Sequence, residues 1–237
     1  MDVAIVTVGD ELLAGDTQDT NSTWLCGQLT ERGVQVRRVT TVPDEIGEIA
    51  RVVNEYRAEY DAVITTGGLG PTHDDVTMEA VAAAFGREVE PHEGALAWLE
   101  EHGGYSADDL VAGTTNLPAG ARMLPNEEGV APGAVVETVY VLPGVPAEMK
   151  AMFQLVADEF SGDRTYTTFL TTPQPESELI DLMVTLQETF GVSVGSYPGE
   201  NVRVKVTARD PETLEDAASW LRERIDVVEG PEVSETA

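Results

Sequence analysis

The sequence predicts an α/β protein: a doubly wound three-layer domain over residues 1–162, a small α+β domain over residues 165–228, and a frayed tail at 229–237. Two observations carry this reading. Through residue 160, apolar runs rich in Val and Ile alternate with segments whose apolar residues recur at helical spacing. That alternation builds a parallel sheet covered by helices on both faces, with ligands at the carboxyl ends of the strands. After a short polar hinge, Ser161-Gly162-Asp163-Arg164, the order becomes strand, helix, strand, strand, helix.

Each element has its own signal. Val3–Val8 is the opening strand, and a polar loop leads to a helix over Asn21–Glu31 that stops before Gly33. Val34–Val42 is the second strand. Pro43-Asp44 then opens a helix over Glu45–Tyr56, where Ile46, Ile49, Val52, Val53 and Tyr56 fall on one face. Asp61–Thr66 is the third strand, and the alanine-rich segment Val76–Phe85 is a helix closed by Gly86. A helix over Pro91–Glu101 follows, then short strands at Arg122–Leu124, Ala134–Thr138 and Val139–Leu142, and a helix over Pro146–Phe160 with proline in its first turn.

In the second domain the expected order is strand Thr165–Thr171, helix Pro175–Phe190, strands Val192–Tyr197 and Asn201–Ala208, and helix Glu212–Ile225. Val202, Val204 and Val206 alternate with Arg203, Lys205 and Thr207, which gives one buried face and one wet face.

Composition excludes several classes. A chain of 237 residues that is 42% hydrophobic can bury a substantial core. Its 43 acidic against 14 basic residues give a net charge of −29, and no basic run exceeds Arg37-Arg38. Such a surface repels polyanions, so nucleic acid and anionic membranes are not expected partners unless a basic patch exists. The acids are spread along the chain, which fits a solvating folded surface adapted to salt. A single cysteine, Cys26, rules out an internal disulfide and a cysteine zinc site, and its place beside Leu25 and Leu29 makes it structural. The chain opens on a strand without a basic leader or a membrane-length apolar stretch, so a soluble cytoplasmic protein is expected.

Residues 65–77, TTGGLGPTHDDVT, are the most informative stretch. Gly67, Gly68 and Gly70 follow the strand and admit backbone conformations closed to other residues, and Pro71 fixes the turn. Free N–H groups of such a turn attract phosphate oxygens, while the neighbouring carboxylates Asp74 and Asp75 can hold a divalent metal or cap the helix. No Gly-Lys-Ser/Thr follows, and the glycine spacing is not G-x-G-x-x-G, so neither a Walker A loop nor a Rossmann fingerprint is present. In the first loop Asp10, Glu11, Asp16 and Asp19 offer carboxylates and Asn21 an amide, although Asp19 and Thr20 also suit a helix cap. Asp44, just after the second strand, suits the N-cap of its helix. Lys150, one of two lysines, is a candidate phosphate contact or a solvated partner of Glu148. His73, in the turn, reads as an acid or base near neutral pH or as an incidental turn residue, and His92 and His102 read as surface residues.

The whole of 65–77 resembles the signature of the molybdopterin-binding domain family, and most closely its CinA-like (competence/damage-inducible) branch. Three further segments agree in order: residues 7–21 (TVGDELLAG through DTN), 126–133 (NEEGVAPG) and 142–150 (LPGVPAEMK). The resemblance implies a three-layer molybdopterin-binding-type domain followed by a KH-like unit. In that unit the absence of a basic G-x-x-G loop favours packing or dimerisation over RNA binding, and a homo-oligomer is expected.

The resemblance also implies a ligand site. It takes in Gly9, Asp10, Glu11, Asp19 and Asn21, then Gly67, Gly68, Gly70, Pro71 and Thr72, then Asn126, and finally Pro143, Gly144, Pro146 and Lys150. Asp75 and Asp44 are the implied catalytic acids, and Asp75 and Asp74 the ligands of Mg2+ or another divalent cation. The implied activity is a metal-dependent pyrophosphatase on ADP-ribose or a related nucleotide. The alternatives are molybdopterin adenylyl transfer and non-catalytic binding of molybdopterin or a nucleotide. Adenylating relatives commonly carry a basic residue at the position of Asp74, so the acid here shifts the expectation toward metal use. Fuller CinA proteins continue into a deamidase domain, and deamidase activity is not expected of this chain.

Overall fold

A computed structural model describes residues 1–70, 72–103 and 113–228. The chain divides into two compact units, Met1–Gly162 and Asp163–Ala237. In order, the first unit contains β1 (Asp2–Val8), α1 (Asp10–Ala14), α2 (Thr20–Glu31), β2 (Gln35–Val42), α3 (Ile46–Glu59), β3 (Ala62–Thr66) and α4 (Thr77–Phe85). It continues through β4 (Val89–Pro91), α5 (Glu93–Trp98), β5 (Asn116–Pro118), β6 (Arg122–Leu124), β7 (Gly133–Val136), β8 (Val139–Leu142) and α6 (Pro146–Gln154).

Six strands form one sheet in the order β2-β1-β3-β8-β7-β6. β1 pairs in parallel with β2 and β3, and β3 in parallel with β8. The fully parallel sheet expected from the alternation holds for these four strands only, because β7 runs antiparallel to both β8 and β6. Only Glu137 and Thr138 separate β7 from β8, and two residues can turn a hairpin but cannot cross over a sheet. Glu137 takes the left-handed φ of 54° that this reversal needs.

β1 shows why the unit has three layers. Val3 and Ile5 point into a core with Leu25 and Leu29 of α2 and with Met149, Met152 and Phe153 of α6. Ala4, Val6 and Val8 point the other way, toward Ile49, Val52 and Val53 of α3 and Ala80 and Val81 of α4. A strand buried on both faces is near-continuously apolar, the pattern read from the sequence, and the one buried polar side chain of β1, Thr7, hydrogen-bonds the Thr41 hydroxyl at 2.9 Å.

Local differences have local causes. The loop after β1 contains the five-residue helix α1, too short to show a period. The segment expected as one helix over Pro91–Glu101 instead gives Pro91 to β4, which pairs with β5, and then forms α5 and a π-helical turn, Leu99–Gly103. α6 stops at Gln154, and a 3-10 turn over Ala157–Glu159 brings Phe160 into the core, its ring centroid 5.7 Å from that of Phe153 and 4.7 Å from that of Tyr140.

The second unit has β9 (Tyr166–Thr172), α7 (Glu176–Phe190), β10 (Ser193–Tyr197), β11 (Val202–Ala208) and α8 (Pro211–Arg222). Its antiparallel sheet has the order β10-β11-β9. Leu179 and Leu186 of α7 and Leu221 of α8 pack with Leu170, Val204 and Val206 of the sheet. The expected tail at 229–237 lies outside the described residues. Among the described residues, no helix is long and apolar enough to cross a membrane.

Candidate functional site

The carboxyl ends of the parallel strands release four loops on one edge of the first unit: Gly9 after β1, Pro43-Asp44 after β2, the glycine turn after β3, and Pro143-Gly144 after β8. Together with the start of α2 they enclose a cleft of about 240 Å3.

Buried contacts fix the glycine turn. Gly67 and Gly68 have φ of 102° and 65°, in the left-handed region that favours glycine. A Cβ on Gly67 would run into the Val8 carbonyl oxygen, and one on Gly68 into the Thr77 hydroxyl. Thr77 is fully buried, donates its hydroxyl to the Gly67 carbonyl at 2.8 Å, and donates its N–H to the Gly68 carbonyl at 3.1 Å. Gly67 N–H donates to the Leu142 carbonyl at 3.2 Å, which ties the turn to the end of β8. Asn21 completes the frame by donating its amide to the Gly144 carbonyl at 2.7 Å. The N–H groups of Gly68, Leu69 and Gly70 donate to no described residue. A turn with free N–H groups is an anion-ready concavity.

Five carboxylates line the same cleft: Glu11, Asp19, Asp44, Asp74 and Asp75. Asp19 caps α2, accepting from Ser22 N–H at 2.9 Å and from the Ser22 hydroxyl at 2.6 Å. Asp44 does not cap α3, whose N-cap is Glu45; it accepts the Asp10 N–H at 2.8 Å. Partial burial raises the Asp44 carboxyl above its ordinary pKa. The Asp10 N–H opposes that shift, and the charges of Asp10, Glu11 and Asp74 reinforce it. Neither Asp74 nor Asp75 caps α4, which has no side-chain cap. The Thr72 hydroxyl lies within hydrogen-bond reach of both Asp74 and Asp75, which share its single proton, and Thr72 N–H donates to Asp75 at 2.9 Å. The Thr72 hydroxyl is the main cause that holds the Asp74 carboxyl below its ordinary value.

No Lys or Arg among the described residues lines this cleft. Among the described residues, no three His, Cys, Asp or Glu side chains gather into a group that could hold a metal. Hard oxygen donors do suit a divalent cation, and magnesium is commonly held by one or two carboxylates with phosphate oxygens completing its shell. Asp74 and Asp75, joined through Thr72, fit that pattern.

The structure gathers Gly9, Glu11, Asp19, Asn21, Asp44, Gly67, Gly68, Asp74, Asp75, Gly144 and Pro146 around the cleft. Gly70 and Thr72 instead line a hollow of about 130 Å3 that shares Gly68 and Asp75 with it. Asp10 acts through its backbone. Pro143 is buried, and Pro71 lies outside the described residues. Asn126 is 2% exposed and spends its amide on the Ala131 carbonyl and on Glu148, at 2.9 and 2.7 Å. The Lys150 ammonium lies 5.6 Å from the Trp24 ring centroid, away from the cleft wall. The sequence reading missed Leu12, Thr17 and Gln18, which line the cleft from the α1 side. Their neighbours Glu11 and Asp19 are the signal that marks them.

A family model described as "Probable molybdopterin binding domain" matches residues 4–161. The chain belongs to the molybdopterin-binding domain family. Within it the chain is of CinA type. It is 35% identical over 241 residues to a CinA-like protein of Citrifermentans bemidjiense, covering 95% of this chain and 58% of that protein. A protein of Thermococcus kodakarensis is 40% identical over 240 residues, covering 93% of this chain and 96% of its own length. The crystal structure of the protein CinA from Thermoplasma acidophilum matches with a TM-score of 0.62 at 36% identity, over 67% of this chain and 97% of that one. In this molybdopterin-binding domain, the motif segments 7–21, 65–77 and 142–150 supply the cleft together with Asp44, and 126–133 braces α6 through Asn126 and Glu148.

Proposed function

We propose that the chain hydrolyses the pyrophosphate linkage of ADP-ribose or a related nucleotide with the help of a divalent cation, of which Mg2+ is the first candidate. One observation carries this reading. The cleft combines five carboxylates with Gly67 and the free N–H of Gly68, the free N–H groups of Leu69 and Gly70 belong to the adjoining hollow, and among the described residues no Lys or Arg lines the cleft. An anionic ligand enters such a cleft only when a cation offsets the carboxylates, and a pyrophosphate brings oxygens for both the turn and the cation.

The residues divide the work. The N–H groups of Gly68, Leu69 and Gly70 hold one phosphoryl group. Asp74 and Asp75, aligned by Thr72, would hold the cation, which supplies charge neutralisation and polarises the phosphoryl oxygens when bound. Asp44 accepts the proton of the attacking water on its Oδ1, because Oδ2 is engaged by Asp10 N–H. A raised pKa makes Asp44 a better base. Water adds to one phosphorus, the bridging P–O bond breaks, and two phosphate monoesters leave, AMP and ribose phosphate in the case of ADP-ribose.

Adenylyl transfer to molybdopterin is the second reading. It is favoured by two hollows that meet at Gly68 and Asp75, with room for two ligand halves. Calorimetric titration of ADP-ribose with and without Mg2+ tests the shared premise. Binding that needs the cation supports the proposal, and equal affinity in EDTA counts against it.

A further inference from the structure

In the second unit α7 and α8 pack on one face of the sheet, and on the other Phe169 and Tyr197 are exposed while Thr171 is buried. The registers place Thr171, Arg203 and Tyr197 side by side across it, and Phe169, Lys205 and Gly195 in the adjacent row. Phe169 is 37% exposed and Tyr197 is 51% exposed, although aromatic rings of this size are normally well buried. Their centroids lie 6.3 Å apart, so the rings from β9 and β10 meet across the intervening β11. The Arg203 guanidinium carbon stands 4.6 Å from the Phe169 ring centroid.

The charge of this face opposes that of the whole chain. Neither Arg203 nor Lys205 makes an ion pair with a described residue, although the chain carries 43 acidic and only 14 basic groups. The two rows hold two cations, two aromatic rings and no carboxylate. A basic patch therefore exists without a basic run in the sequence, because residues two apart on a strand share one face.

We propose that this face docks a single-stranded polynucleotide. Unpaired bases present flat faces that stack on Phe169 and Tyr197, and the phosphates between them meet Arg203 and Lys205. A duplex hides its bases from such a platform. A second copy of the chain docked face to face would set Arg203 and Lys205 against the same cations. The net charge of −29 repels a polyanion at long range, but the screening length falls to about 3 Å at 1 M salt, while stacking persists.

The test is fluorescence anisotropy of a labelled oligouridylate of about ten nucleotides, titrated with the full chain in KCl of about 1 M. Saturable binding is expected, weakened about tenfold or more by Phe169→Ala at this salt, and by Lys205→Glu in a parallel titration at about 0.15 M KCl, where phosphate contacts are screened less. Arg37→Ala in the first unit, which breaks an exposed ion pair with Asp2, should leave it unchanged. Lys205→Glu removes a wet-face charge without opening the core, so it decides the matter if Phe169→Ala loosens the fold by circular dichroism. Absence of saturable binding would overturn the proposal. So would binding unchanged in both variants, or equal binding of a duplex. An oligomer seen by light scattering that Lys205→Glu dissociates would assign the face to a second copy and overturn it as well.

Discussion

The Asp44 carboxylate accepts the backbone N–H of Asp10 at 2.8 Å, joining the loop after β2 to the first residue of α1. One oxygen is thereby fixed and the other left for chemistry. Burial raises this carboxyl's pKa, so its stabilising contribution is complete below the ordinary carboxylate value and is lost as pH rises through the raised one. Asp44→Asn keeps the acceptor and cannot ionise. It should melt at or above the wild-type temperature near neutral pH while losing turnover. The acid limb of the wild-type pH profile should fall above the ordinary value of about 4. A pH series of melting curves and rates checks both.

Thr72 touches both candidate metal ligands. Thr72→Val removes the hydroxyl that aligns them, and groups that orient metal ligands contribute about tenfold or more to affinity. Calorimetric titration with Mg2+ or Mn2+ should show that loss with the melting temperature unchanged.

Gly67 combines a φ of 102° with close approach to the Val8 carbonyl. Gly67→Ala should destabilise the first unit by about 1–3 kcal/mol in denaturant unfolding, since strained backbone positions carry costs of that order. Nucleotide binding should fall with it.

β1 and β3 were legible because burial on both faces demands near-continuous apolar runs, as in Val3–Val6, whereas β2 (Gln35–Val42), at the sheet edge, is mostly polar with only Val42 buried. The β7–β8 hairpin was not legible, because Glu137-Thr138 lacks the Asn-Gly or Asp-Gly signal of a tight turn. At the site, glycines and acids announced the cleft, but residue type does not give direction. Asn126 and Lys150 carry suitable groups, yet Asn126 is turned toward Glu148 and Lys150 toward Trp24. Asp10 contributes an N–H that no side-chain motif encodes.

A net charge of −29 makes self-repulsion depend on screening, which reaches about 30 Å at 0.01 M salt and about 3 Å at 1 M. The melting temperature should fall steadily as KCl is dialysed away. An unchanged melting curve in low salt would remove the salt-adaptation reading.

In the proposed function the acidic cleft cleaves a nucleotide pyrophosphate with Asp75 taking part. The most direct test is AMP release from ADP-ribose with Mg2+ in concentrated KCl, measured for the wild type beside a folded Asp75→Asn variant. AMP is expected from the wild type, with the rate lowered about a hundredfold or more in the variant, as when a carboxylate that positions transition-state charge is lost. AMP released equally by both proteins, or by neither, would contradict it.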